Sequence, residues 1–240
     1  MRRIIVSTLL ITFAVLIHGC DDEKRCGAYR LTTQVDVQNT DGGNATFIYN
    51  ANGSLQKVSG RYQRDDNFFY DATGRLIRTE TGNENGATLF FAYDARGRVI
   101  SMYQDAEYID STVFVYDDND RMIKTLFYRA HPEIFYYYDI AYPDAGTVTK
   151  SVYFRDTNTK VFGLSYVDIY TLDNHPRPHP QEYYLYQFPI EEVFLPHNAL
   201  SIHSTYEGGK VITKSFTYNA AGYPVSEDDV FTYVYSCDGG

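Results

Sequence analysis

The sequence predicts an all-β fold, an antiparallel meander of repeated β-hairpins that curls into a twisted sheet or half-barrel. Three stretches predict it by saying nearly the same thing: FFYDATGRLIRT from Phe68, FAYDARGRVISM from Phe91 and FVYDDNDRMIKT from Phe114. Each is an alternating apolar segment, a turn of fixed chemistry and a second alternating segment, the sequence form of a hairpin. Tyr70, Tyr93 and Tyr116 set a repeat of about twenty-three residues, a period that belongs to a repeat array.

In chain order, Met1-Arg2-Arg3 and the apolar run Ile4 to Ile17 form a charged n-region and an h-region too short to span a membrane as a helix. This is a secretion signal. It ends Leu16-Ile17-His18-Gly19-Cys20, which resembles a bacterial lipobox, although His18 stands where a small or hydroxylated residue is usual. The resemblance implies cleavage after residue 19 and lipid on Cys20, with two acyl chains plus an amide-linked third anchoring the protein to a membrane. Residues 20–30 then form a tether. Its Asp21-Asp22-Glu23 resembles the surface-export signal of Bacteroidota lipoproteins, which implies an outer-membrane, outward-facing location.

The array begins with the hairpin from Phe47 to Val58 around Asn50-Ala51-Asn52-Gly53. In the sharper copies Asp71 and Asp94 stand at the first turn position, where a carboxylate accepts from backbone N–H groups two residues on, and Gly74 and Gly97 supply positive φ at the fourth. The third copy starts at Asp117 and places Asp120 in the glycine position, which Asp tolerates. Phe68 and Tyr70, like Phe91 and Tyr93 or Phe114 and Tyr116, are two apart and share a strand face. After each turn, Arg75-Leu76-Ile77, Arg98-Val99-Ile100 and Arg121-Met122-Ile123 put apolar residues on both faces of the sheet.

The pattern Tyr-Asp-x-x-Gly-Arg-Leu/Val-Ile resembles the tyrosine–aspartate repeat of the Rhs/YD-repeat superfamily, known from large bacterial secreted and toxin-shell proteins. Tyr70-Asp71/Gly74-Arg75 and Tyr93-Asp94/Gly97-Arg98 match it fully; Tyr49-Asn50/Gly53, Tyr116-Asp117 and Tyr218-Asn219/Gly222 are looser, and Tyr142/Gly146 and Tyr170 decayed. The chain is also similar to small repeat-containing Bacteroidota-type lipoproteins. The resemblance implies the β-repeat fold and carries over no catalytic residue.

Beyond Lys124 the register loosens. Phe135-Tyr136-Tyr137-Tyr138 and Tyr183-Tyr184-Leu185-Tyr186 read as aromatic-rich strands with tyrosines on both faces. Between them, His175-Pro176-Arg177-Pro178-His179-Pro180 excludes helix and central strand and reads as a stiff surface loop. A longer connection follows from Pro189 to His203, with a short helical turn near Glu191-Glu192. The closing hairpin, Phe216 to Tyr235 around Asn219-Ala220-Ala221-Gly222, returns to the repeat. Residues 31–240 form a single β-repeat domain, with no linker long enough to divide them.

With Cys20 lipidated, Cys26 and Cys237 remain as an even pair in an oxidising compartment. A bond between them would restrict the unfolded chain by roughly 5 kcal/mol in the entropy model. Loss of Arg2 and Arg3 takes the formal charge from −10 to −12. So acidic a chain is a poor nucleic-acid binder.

Tyr is the residue in excess, at 24 against no Trp. Its rings can stack on sugars or a peptide partner, or reflect only β-propensity and cross-strand packing. Tyr136, Tyr137, Tyr138, Tyr183, Tyr184 and Tyr186 are the candidate ligand-binding residues. His175 and His179, with His197 and His203 in the next connection, lack the helical spacing or Cys partners of a metal site. Asp117-Asp118-Asn119-Asp120 comes nearest a calcium loop, yet turn chemistry explains it without an ion. No nucleophile elbow, H-E-x-x-H, phosphate loop or dinucleotide fingerprint occurs. The expectation is a non-catalytic envelope lipoprotein, without cofactor or metal, that binds a glycan or protein through a Tyr-rich surface. A scaffolding role through exposed hairpin edges, and less so a degenerate hydrolase, are the alternatives.

Overall fold

Among the described residues, seventeen strands form one antiparallel sheet in this computed structural model, which describes residues 28–38, 43–61, 64–82, 86–105, 111–129, 133–187 and 192–238. The strands are β1 (Ala28–Asp36), β2 (Ala45–Tyr49), β3 (Leu55–Ser59), β4 (Asp65–Tyr70), β5 (Leu76–Thr81), β6 (Thr88–Tyr93), β7 (Val99–Asp105), β8 (Ser111–Tyr116) and β9 (Met122–Tyr128). They continue with β10 (Ile134–Asp144), β11 (Thr147–Arg155), β12 (Phe162–Leu172), β13 (Ala199–Ser204), β14 (Val211–Thr213), β15 (Phe216–Tyr218), β16 (Pro224–Glu227) and β17 (Phe231–Asp238). Among the described residues one α-helix, α1 (Gln181–Gln187), lies between β12 and β13, and a 3-10 turn, Tyr206–Gly208, follows β13.

Each strand pairs with the next from β1 to β14 and again from β15 to β17. The last strand, β17, then runs antiparallel to β1, from Ala28↔Asp238 to Asp36↔Phe231. The sheet therefore curls almost full circle. No registered ladder joins β14 to β15 among the described residues, and the curl does not close into a barrel. At that seam the chain changes partner: the Lys214 N–H donates to Leu200 O on the β13 side, whereas Ser215 O accepts from Asp228 N on the β16 side.

The repeat turns form as their residues demand. Gly74, Gly97, Gly53 and Gly222 have φ of 84°, 80°, 89° and 86°, and Asp120 takes the same left-handed conformation at 63°. Each turn adds a register shift beside its tyrosine, between Ile48 and Tyr49, Phe69 and Tyr70, Ala92 and Tyr93, and Val115 and Tyr116. This is a type I turn followed by a left-handed residue, which makes a bulge and re-aims the adjacent side chain.

Pairing is unequal along the array. The hairpin strands β4–β5, β6–β7 and β8–β9 share five to six registered pairs, whereas β3–β4, β5–β6 and β7–β8 share three. Successive hairpins thus splay apart toward their turns. Across each splay a tyrosine hydroxyl donates to the first strand residue of the preceding unit: Tyr70 to Leu55 O (2.7 Å), Tyr93 to Leu76 O (2.7 Å) and Tyr116 to Val99 O (2.8 Å). Tyr142 does the same to Met122 O at 3.0 Å, Tyr49 donates to Leu31 O within β1 at 2.8 Å, and Tyr235 donates to Pro224 O at 2.8 Å.

Phe68, Phe91, Phe114, Leu76, Val99 and Met122 face the inside of the curl, where α1 and Phe194-Leu195 complete the core. Here the expectation of a strand over Tyr183–Tyr186 is corrected. The segment is a helix, with Tyr183, Leu185 and Tyr186 in the core. Inside the curl no sheet edge offers ladder partners, so a segment there must satisfy its own backbone. Pro180 helps, since a fixed φ suits a helix start, and its carbonyl accepts from Tyr183 N at 3.0 Å. The proline-rich stretch is only in part a surface loop: Pro176 is exposed, whereas His179 packs against Phe47, Tyr183, Tyr184 and Tyr233. The connection expected from Pro189 to His203 contains β13. Glu191 lies outside the described residues, and Glu192, at φ 41°, is not helical.

The hydroxyl bonds yield a direct test. Tyr93→Phe leaves the Leu76 carbonyl without that donor and should destabilise the protein by about 1–2 kcal/mol. A lower urea midpoint with an unchanged slope would show it. Tyr103→Phe, on the exposed outer face, should change stability by less than about 0.5 kcal/mol.

Candidate functional site

The turn ends of the repeats line one wall of a cavity of about 770 Å³. In each unit the Asp carboxylate organises the turn with one oxygen and the Arg with the other. Asp94 Oδ1 accepts from the Arg96 and Arg98 N–H groups, both at 2.9 Å, while Oδ2 accepts from Arg98 Nε and Nη2 at 2.7 Å. Asp71 with Arg75 and Asp117 with Arg121 repeat the arrangement. Asn219 keeps only the backbone half, toward Ala221 and Tyr223.

Held this way, each guanidinium lies over the tyrosine of the next unit. Arg75 sits 5.4 Å from the Tyr93 centroid, Arg98 4.9 Å from Tyr116 and Arg121 5.0 Å from Tyr142. In the third unit Asp120, which replaces the glycine, turns outward to Arg98 and Arg96 at 2.9 and 2.7 Å and ties two turns together. The opposite wall comes from the inner segment: Arg177, Glu182 and Tyr184, with Phe194 and Leu195. The two walls meet where the Tyr142 hydroxyl lies 3.1 Å from Phe194 O.

The electrostatics follow the contacts. Thr73 and the Arg75 N–H hold Asp71 below the usual carboxylate range, and the N–H groups of Arg98 and Arg121 do so for Asp94 and Asp117. Burial pushes Tyr93, Tyr116 and Tyr142 up to about 12, and Tyr70 higher still.

The residues singled out from the sequence are distributed differently. Strand alternation splits Tyr136–Tyr138, so they form no single platform. Tyr136 packs on Phe127 at 4.0 Å, Tyr138 is buried inside with Lys150 5.2 Å from its ring, and Tyr137 points outward, stacked on Tyr153 at 4.6 Å under Lys124. Tyr183, Tyr184 and Tyr186 are buried; of the three, Tyr184 lines the cavity. The expectation of an exposed Tyr-rich surface from these six is thereby corrected. The turn residues Asn50, Gly53, Asp71, Gly74, Asp94, Gly97, Asp117, Asp120, Asn219 and Gly222 all stand at hairpin turns. Cys20 and Cys26 lie outside the described residues, whereas Cys237 stands opposite Tyr29. The Arg–Tyr stacking was missed by sequence reasoning, though its signal was present: Arg75 and Arg98 each stand eighteen residues before the next unit's Tyr, and Arg121 stands twenty-one before Tyr142.

The fold and this wall define a curled sheet of Tyr-Asp turn repeats around an inner segment. Residues 70–108 match the family model for the RHS Repeat. None of the curated proteins matches the chain in sequence. Among solved structures, a porin-like protein from Bacteroides uniformis is similar at a TM-score of 0.62 and 11% identity, covering 88% of this chain and 98% of that one, which extends the likeness to the whole fold. The Photorhabdus luminescens Tc holotoxin pore aligns at a TM-score of 0.34 and 12% identity, over 81% of this chain and 9% of that chain.

The shifted groups set the pH range of stability. The Asp groups titrate lower when folded, so their contribution is complete above about pH 4 and is lost as pH falls through the folded values. The Tyr groups titrate higher when folded, so theirs is complete below about pH 10 and is lost as pH rises toward 12. Denaturation across pH should show both declines, and Asp94→Asn should flatten the acid one.

Proposed function

We propose that this protein is a non-catalytic cell-envelope binding protein that takes a glycan against the wall of Tyr93, Tyr116 and Tyr142. The repetition of that wall carries the proposal. Equivalent tyrosines stand two strands apart at the splayed turn ends, so their spacing exceeds the roughly 9.6 Å of two fully paired strands, and a repeating ligand meets the same chemistry at each step. Every guanidinium on the wall already holds its own Asp, which favours a neutral polymer over a polyanion. The cavity volume of about 770 Å³ lies within the range of ligand sites. Lipid on Cys20, an outer-membrane and surface-exposed location, and a Cys26–Cys237 bond belong to the same proposal.

A protein partner is the second reading, favoured by one observation. β14 lacks a second ladder partner among the described residues and exposes Val211 and Ile212, an edge suited to strand addition.

A glycan array probed with the full chain tests the first reading. Saturable binding should fall at least tenfold in Glu182→Arg, which places a long cation in the cavity opposite the wall, and in Arg98→Ala. A blank array from folded protein, or variants that bind like the wild type, would discard it. Crosslinking on intact cells that captures a partner at Ile212 would then support strand addition.

A further inference from the structure

A second chamber, of about 160 Å³, lies behind Arg177, His179 and Tyr184, which line both spaces. It is below the roughly 300–1,000 Å³ of sites for drug-sized ligands and suits one small ionic group. Three cations reach it from distant parts of the chain: Arg61 after β3, Arg177 in the proline-rich segment and Lys214 at the β14–β15 seam.

Their positions are set by their contacts with neighbouring groups. Arg61 donates to the Tyr183 hydroxyl and lies 5.8 Å from that ring. Arg177 stacks 3.4 Å above Tyr184 and donates to Glu192 O and Leu195 O at 3.1 and 3.4 Å. Lys214 lies 2.7 Å from Glu227 Oε1.

At the centre, His179 Nε2 lies 2.8 Å from Oε1 of Gln34, a residue only 3% exposed. Burial, and then the charges of Arg177, Arg61 and Lys214, keep the imidazole neutral by lowering its pKa well below the ordinary value. Two carboxylates also line the space, and both are engaged. Glu227 Oε2 accepts from Tyr233 at 2.7 Å while Oε1 faces Lys214. Glu192 Oε1 accepts from Tyr170 at 3.3 Å and lies 3.8 Å from Lys150.

We infer that this chamber binds a small oxyanion, a carboxylate or phosphate group, between Arg61, Arg177 and Lys214. Guanidinium forks match the planar or tetrahedral oxygens of such groups. Enclosure among aromatic rings strengthens the attraction over its value in water. A metal cation meets the opposite chemistry: three positive side chains outnumber the two engaged carboxylates, Glu192 and Glu227, around one neutral imidazole. The chamber does not require the glycan reading, because Arg61 and Lys214 do not line the larger cavity.

Calorimetric titration of the full chain with sodium phosphate, sodium acetate and, as control, sodium chloride at constant ionic strength tests the inference. One-to-one saturable heat is expected for phosphate or acetate and none for chloride; which of the two binds tells phosphate from carboxylate. Arg61→Gln and Lys214→Met should each weaken that binding at least tenfold with an unchanged far-ultraviolet circular dichroism spectrum. Should Arg61→Gln fail to fold, Lys214→Met, whose side chain reaches the rim, decides alone. No saturation by either oxyanion, or wild-type affinity in the folded variants, overturns the assignment.

Discussion

A tyrosine hydroxyl donating to the backbone of the preceding hairpin is the interaction on which this architecture depends. The ladder between hairpins stops at Arg78↔Phe90 in β5–β6 and at Ser101↔Val113 in β7–β8, short of the turns. Carbonyls such as Leu76 O and Val99 O sit where strand pairing has run out, and a buried acceptor left unmade costs free energy. Tyr93 and Tyr116 supply the missing donors. The same ring then serves as the platform for the guanidinium above it, which the turn carboxylate aims. Turn, bulge, hydroxyl bond and stacked arginine are therefore one device, and copying it builds a wall.

That device also explains the inner segment. A sheet of so many strands encloses a space that its own side chains do not fill, and comparable natural barrels hold water or a plug there. Here α1 and Phe194-Leu195 occupy it, and their polar groups are matched to the wall: the Tyr186 hydroxyl donates to Asp66 at 2.7 Å, and Tyr142 spans from Met122 O to Phe194 O. The matching has a cost in sequence freedom, because Asp66 is buried and its pKa is raised mainly by burial. The segment and its wall are specified together.

What could be read from the residues was what local chemistry dictates. The turns were legible because Asp and Gly act within four residues of themselves, and Asp120 followed the same rule at positive φ. The hydroxyl bonds were not, since donor and acceptor stand seventeen residues apart in two of the units and eighteen in a third, and the signal is an offset between repeats. For Tyr183–Tyr186 a strand was the wrong inference because β-propensity describes a half-buried pleat, and this segment is surrounded on all sides. The six tyrosines proposed as a binding surface do not share one exposed face, for a related reason. Aromatic content marks packing as readily as recognition, and the tyrosines that line the cavity are spaced through the repeats instead of clustered.

The pairing of β1 with β17 places the first and last described strands side by side. Within the array each hairpin joins neighbours and can form as soon as its own residues are available. The first strand differs, since its main ladder spans about two hundred residues of sequence, the kind of distant contact that slows folding. During synthesis, β1 has to wait with one edge bare until β17 arrives. Assembly is thus local along the row and all-or-none at its closure, so the quality of the whole curl is decided by the last strand to appear.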